Sequence, residues 1–235
     1  MEPKSLTTPG YLNIIACNFD ARPMSYVEGD RLGYEPDLTR ALCEKLKLEP
    51  VWHNLPMADF YHSLSTGKYD VVWFNQAIMP ERQVWANFTR PYGLFDEAVI
   101  VRADSLVKSP ADLAGLRVGG LADSTNLALA ASFGNAKIVP FPGSDRVLPE
   151  MLAALRASEI DALIDDELVL IVAAELDPSL RLAFSVPTRV PFGIAVNLGK
   201  SELVKVLNDT LESLIEDGTV AKLWAHWIPW KPFPF

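Results

Sequence analysis

Two cysteines, three histidines and no cluster of lysine or arginine mark what this chain has little of. Cys17 and Cys43 show neither CxxC nor metal-ligand spacing, so no zinc or thioredoxin-like motif is written here. They read as two buried thiols, with a disulfide between them as the alternative. His53, His62 and His226 are spread out without ligand spacing. No G-x-S-x-G elbow, Walker loop, G-x-G-x-x-G or H-E-x-x-H occurs, which leaves the commonest hydrolase, nucleotide and zinc chemistries without a motif. A formal charge of -9 argues against nucleic acid or an anionic membrane as partner, since both need a basic face. No apolar run is long enough to span a bilayer, and no basic, apolar leader is seen at the start, so membrane insertion is not expected. Met1 to Ser5 reads as a cytosolic start or as a mature chain whose export signal has been removed.

What is present is an alternation. The 235 residues are 49% hydrophobic and 22% charged, enough for a sizeable core in one or two domains. Apolar runs of strand length alternate with segments of helical period, which points to an α/β fold with mainly parallel sheets. Leu12 to Cys17, Pro50 to His53, Val71 to Phe74 and Ala98 to Val101 read as strands, and Leu38, Ala41, Leu42 and Leu46 share one helical face. From Ser109 the pattern restarts. Ser109 caps a short helix with Pro110 at its first position. Strands follow at Arg117 to Gly119, Lys137 to Phe141, Ala162 to Ile164, Leu182 to Phe184 and Gly193 to Asn197. Leu203 to Ile215 has clean helical period and ends at Gly218, a good cap residue.

The segment from Gly67 to Arg90 carries the best candidate for a site. A short apolar strand runs into a polar loop that delivers Arg82 after Pro80-Glu81. A guanidinium is a rigid fork matched to a carboxylate, and strand-end loops are where α/β proteins place ligand groups. The plainer alternative is a surface arginine closing a turn. Ser124 and Thr125 offer hydroxyls and free N–H groups at a helix start, with simple capping as the alternative. Asp165 and Asp166 should point to opposite faces of a strand, so that only one reaches a ligand.

Gly67-Lys68-Tyr69-Asp70 with Pro80-Glu81-Arg82, Gly33-Tyr34-Glu35-Pro36-Asp37-Leu38, Ser109-Pro110-Ala111-Asp112-Leu113-Ala114-Gly115, Ile160-Asp161-Ala162, Pro191 to Val196 and Asp217-Gly218-Thr219 occur in order. Together they resemble the polar amino-acid-binding proteins of ABC importers, solute-binding family 3, over roughly residues 11 to 228. The resemblance implies a two-lobed, periplasmic-binding-protein-like fold whose lobes are joined by two crossover strands. Lobe 1 would hold 11–97 and 195–235, and lobe 2 would hold 98–194, closing by a hinge.

It also implies roles. Arg82 would hold a solute carboxylate with Ser124 and Thr125, and Asp166 would hold an ammonium. Departures are equally specific. The family's sandwiching aromatics fall near Ala21 and Met57, its ammonium-binding hydroxyl falls at Ala77, and Asn75 or water would have to replace that hydroxyl. Asn18 aligns with a position where some relatives place a side-chain-recognising carboxylate, and its amide suits a neutral polar solute. Phe19 is the aromatic expected near the ligand, with Trp73 and Phe74 as core. Arg22 reads as a solvated loop residue or a second anion contact.

The expected function is therefore capture of an amino acid or similar small carboxylate outside the cytoplasm and delivery to an ABC permease. A monomer in the periplasm, without cofactor, is expected. Two alternatives stand beside it: a lyase dehydrating a small cyclic carboxylate on the same fold, and a solute-sensing accessory subunit. The aromatic tail from Trp224 to Phe235 is expected to pack, with a partner contact as the alternative.

Overall fold

A computed structural model describes residues 6–144 and 146–235. Met1 to Ser5, read above as a chain start, lie outside these. The chain forms two compact units. The first takes residues up to 18, 23–94 and 190–235, and the second takes 19–22 and 95–189.

In the first unit β1 (Tyr11–Ala16) is followed by a hairpin, β2 (Tyr26–Glu28) and β3 (Asp30–Leu32), and by α1 (Tyr34–Leu46). Then come β4 (Glu49–Asn54), α2 (Phe60–Ser65), β5 (Val71–Val72), α3 (Pro80–Gln83) and β6 (Ala86–Phe88). Gly33 precedes α1 at φ 123°, where a Cβ would sit 2.5 Å from the Met24 carbonyl oxygen. Only glycine fits there. The second unit contains β7 (Gly93–Arg102), β8 (Arg117–Leu121), α4 (Thr125–Ser132), β9 (Lys137–Phe141), α5 (Val147–Arg156), β10 (Ala162–Asp166), α6 (Glu167–Leu176) and β11 (Leu180–Phe192). β7 and β11 begin or end in the first unit, so these two strands carry the chain across and back. β12 (Ala195–Asn197), α7 (Ser201–Glu216) and α8 (Thr219–Trp227) complete the first unit.

Each unit is built on a five-stranded mixed sheet. The orders are β4-β1-β5-β12-β6 and β11-β7-β10-β8-β9. β1 runs parallel to β4 and β5, pairing Ile14 with Trp52 and with Val71, whereas β12 is antiparallel to β5 and β6. In the second sheet β10 is parallel to β8 and antiparallel to β7. The sheets are thus less uniformly parallel than the alternation implies, because the strands that leave and return run against the βαβ direction. The cores follow the apolar patterns: Leu203, Leu207, Leu211 and Leu214 form the buried face of α7, one stripe at helical period. Trp224 is buried on α8 and donates its indole N–H to the Lys231 carbonyl at 2.7 Å, which ties down the tail.

Candidate functional site

In the first unit β1, β4 and β5 are parallel, so their carboxyl ends share one edge, the usual place for ligand groups in α/β sheets. β5 is shorter than expected: Trp73 and Phe74 are buried but already belong to the loop that follows. Asn75 sits in this loop with φ 48°. Its backbone N–H donates to both carboxylate oxygens of Glu35, at 3.0 and 3.1 Å. Glu35, in the first turn of α1, is 0% exposed and also accepts a bond from the Tyr92 hydroxyl. Tyr34 in turn donates to the Tyr92 carbonyl at 2.7 Å. Burial pushes the Glu35 carboxyl up to about 7, against the Tyr92 and Asn75 bonds and the charge of Arg31, which pull it down.

The Asn75 Oδ1 is buried and has no hydrogen-bond partner among the described residues. Such an acceptor costs about 1–3 kcal/mol to leave unmatched. Ala77, which lacks the expected hydroxyl, pairs as an isolated bridge with Phe192. Its carbonyl accepts Arg82 Nη1 at 3.4 Å. Arg82 lies on the one-turn helix α3 rather than in an open loop, because Pro80 at its first position presets the backbone angle. The guanidinium is half-buried, 5.9 Å from the centre of the Tyr61 ring, and has no carboxylate partner among the described residues.

Asn18 follows β1 and is exposed, but its side chain is not free to choose a partner: Oδ1 accepts Arg31 Nη2 at 2.6 Å. Arg31 is a buried cation that sequence reasoning missed. It also donates to the Cys17 carbonyl at 2.7 Å and lies 5.0 Å from the centre of the Trp52 ring. Nothing periodic surrounds it in the short β2–β3 hairpin, so its role was not written locally. Cys17 and Cys43 are buried free thiols.

The second unit gathers the remaining candidates. Ser124 caps α4: its hydroxyl accepts the Leu127 N–H at 3.1 Å and donates to the Leu121 carbonyl at 2.7 Å. The plain capping alternative accounts for that side chain. Thr125 donates to Asn126 Oδ1 at 3.0 Å, and Asn126 Nδ2 donates to Asp165 at 2.9 Å and to Asp166 at 3.3 Å. The expectation that Asp165 and Asp166 diverge is therefore wrong. Asp166 is the last residue of β10, paired with Glu97, and takes the position before α6 without a capping bond from its side chain, while Asp165 Oδ1 folds back to accept the Asp166 N–H at 2.8 Å, so both carboxylates meet one amide. Desolvation pushes the Asp165 carboxyl up to about 6, against the bonds from Asp166 N–H and Asn126. Phe19 is a buried side chain, not an open platform.

By unit, Arg82, Ala77, Asn75 and Asn18 belong to the first, and Phe19, Ser124, Thr125 and Asp166 to the second. Glu35, Arg31 and Asn126 join them unforeseen. Glu35 lies inside one of the quoted motifs, and that was the available signal.

Known proteins bear on this arrangement. The chain is 28% identical over 84% of its length to the ABC transporter arginine-binding protein 1 of Escherichia coli K12, covering 82% of that protein. It superposes on an ancestral arginine-binding protein bound to glutamine with a TM-score of 0.85 and 26% identity, over 94% of this chain and 99% of that one. An ancestral amino-acid-binding protein described as a precursor of cyclohexadienyl dehydratase gives a TM-score of 0.83 at 26% identity, over 93% and 95% of the two chains. The family model for bacterial extracellular solute-binding proteins, family 3, matches residues 14–229. This chain, with its two α/β units, belongs to the bacterial extracellular solute-binding proteins of family 3.

Proposed function

We propose that this protein captures an amino acid or a close carboxylate-bearing analogue in the periplasm or an equivalent extracytoplasmic space and delivers it to an ABC permease. The observation that carries this reading is Arg82: a half-buried guanidinium held by the Ala77 carbonyl and the Tyr61 face, with no carboxylate of its own among the described residues. Its fork is assigned to the solute carboxylate. Asp166, oriented by Asn126, is assigned to the ammonium, and the unmatched Asn75 Oδ1 supports a second acceptor for the same group. Thr125 belongs to this half through Asn126, whereas Ser124 contributes by holding the start of α4. β7 and β11 would serve as the hinge.

Replacing Arg82 by Ala leaves a carboxylate unpaired and should cost at least about 2 kcal/mol of binding. A thermal-shift screen of amino acids and their deaminated and decarboxylated analogues identifies the solute, since a ligand specific to the folded state raises the midpoint by mass action. Titration of the hit against Arg82→Ala then checks the assignment, and unchanged affinity would refute it.

A second reading, dehydration of a small cyclic carboxylate, is favoured by Asp165, whose carboxyl stands near 6, the range of a general acid at neutral pH. Substrate loss with cyclic acids, abolished in Asp165→Asn, would establish it. Binding without turnover would leave transport alone.

A further inference from the structure

Arg82 sits where its own segment can do little to hold it. α3 is a single turn, too short to be rigid by itself. An arginine side chain has many rotamers, and the bond from Nη1 to the Ala77 carbonyl is long, at 3.4 Å. Firmer support comes from α2. The guanidinium carbon lies over the Tyr61 ring, 5.9 Å from its centre, where the negative face of the ring attracts a cation. The core face of α2 is formed by Phe60 and Leu64, so the Tyr61 hydroxyl is not needed to seat the helix. It donates instead to Gln76 Oε1 at 2.7 Å. Burial pushes this hydroxyl up to about 12, against the charge and donors of Arg82, so it keeps its proton and stays a donor. Gln76 cannot turn away. It is 6% exposed, its Nε2 donates to the Phe74 carbonyl, and its own carbonyl accepts the Gly193 N–H at 3.0 Å. All of these residues belong to the first unit.

We propose that Gln76 and Tyr61 are positioning residues for Arg82: the amide fixes the ring, and the ring holds the guanidinium ready for a carboxylate. The proposal rests on the reading of Arg82 as the anchor of the solute carboxylate. A mobile arginine loses rotamer freedom when a ligand captures it, whereas one already seated gives up little, so prior support raises affinity without a new contact to the solute. The support is confined to the carboxylate half. Gln76 and Tyr61 act on the solute through Arg82, so their loss should weaken solutes that bear an α-carboxylate and leave the matching α-amides nearly untouched. The two links also act in series. Once the bond between the Tyr61 hydroxyl and Gln76 is broken from one side, breaking it from the other should add nothing.

The test takes two readouts on the full chain. The first needs no solute: nitrogen NMR of the arginine side chains gives the rate of rotation about the Arg82 Nε–Cζ bond, with the Arg82 signal assigned by its loss in Arg82→Ala. Rotation should quicken at least about fivefold in Tyr61→Leu and less in Tyr61→Phe and in Gln76→Leu, and the double variant Tyr61→Phe/Gln76→Leu should be no faster than either single one. Unchanged rotation in Tyr61→Leu, or in both milder variants should Tyr61→Leu fail to fold, overturns the proposal. The second is isothermal titration with L-arginine, L-glutamine and the α-amide of each. The preference for acid over amide should fall about fivefold in Tyr61→Leu. If that preference falls in Arg82→Ala but stands in Tyr61→Leu, Arg82 remains the anchor and the proposal fails. If it stands in Arg82→Ala, the carboxylate reading fails, and the proposal with it. If none of the four binds, the rotation rates decide.

Discussion

Asp70 belongs to the same motif as Arg82, yet the two residues do opposite work. The Asp70 carboxylate is fully buried and accepts bonds from Thr7 N–H, Thr7 Oγ1 and Asn13 N–H, each at 2.8 Å, with Lys200 completing an ion pair. It fastens the start of β1 to the residue before β5 and to the segment leading into α7, so its place in the motif is structural. Desolvation pushes this carboxyl up, but Lys200, Asn13 and Thr7 outweigh it and hold it below its ordinary 3.8. A carboxyl lowered by folding adds stability that is present above its unfolded value and is lost as pH falls through its folded one. Asp70→Asn should therefore flatten the acid limb below pH 4. At pH 7 it should cost about 3 kcal/mol, because it leaves Lys200 without its counter-charge. Thermal denaturation across pH 2–7 reads both effects, and an unchanged acid limb would place the acid sensitivity elsewhere.

At the scale of elements, one carboxylate joins three segments. Glu35 opens α1, receives the Asn75 N–H from the loop after β5, and receives the hydroxyl of Tyr92, which stands just before β7. The left-handed backbone of Asn75 is thus fixed from α1 and not by the loop itself. Glu35→Ala would strand that N–H and should lower solute affinity at least tenfold, while Glu35→Gln keeps one acceptor and should lose less. Titration of both variants with the solute found by screening checks the order, and equal losses would contradict the two-oxygen clamp. Sequence could show α1 through its apolar face and its motif, because both are local. It could also show β1, β9 and α7, whose periods are clean. Of β11, a 13-residue strand, it showed only Leu182 to Phe184, because Pro187 and Pro191 break the usual strand signal beyond, and it could not show the β2–β3 hairpin, whose two strands have three residues each. Arg31 and Asn126 were illegible as site residues, and Glu35 was visible only as part of a motif, for a related reason. Apart from Thr125, the immediate neighbour of Asn126, the partners of these side chains lie between 6 and 57 positions away in sequence, so their roles exist only after the sheets have formed.

For the whole molecule, the buried carboxyls set how stability should vary with pH. Glu35 is raised by burial from 4.5 to about 7, and Asp165 from 3.8 to about 6. A group raised by folding adds stability that is complete below its unfolded value and is lost as pH rises through its folded one. These two terms therefore decline between about pH 4 and 7, on the order of 3 kcal/mol for Glu35 alone by the conversion of one unit to about 1.4 kcal/mol. The Asp70 term runs the other way and is complete above about pH 4. The formal charge of -9 at pH 7 adds self-repulsion that also eases on acidification. The sum places maximal stability in mildly acidic solution, near pH 4–5, and not at neutrality. Calorimetric midpoints measured in steps from pH 3 to 9 should peak there and fall toward pH 8, and Glu35→Gln, which carries no titrating group, should show a shallower fall. A midpoint that climbs from pH 5 to 8 would mean that Glu35 is ionised throughout, with the bonds from Asn75 and Tyr92 outweighing its burial.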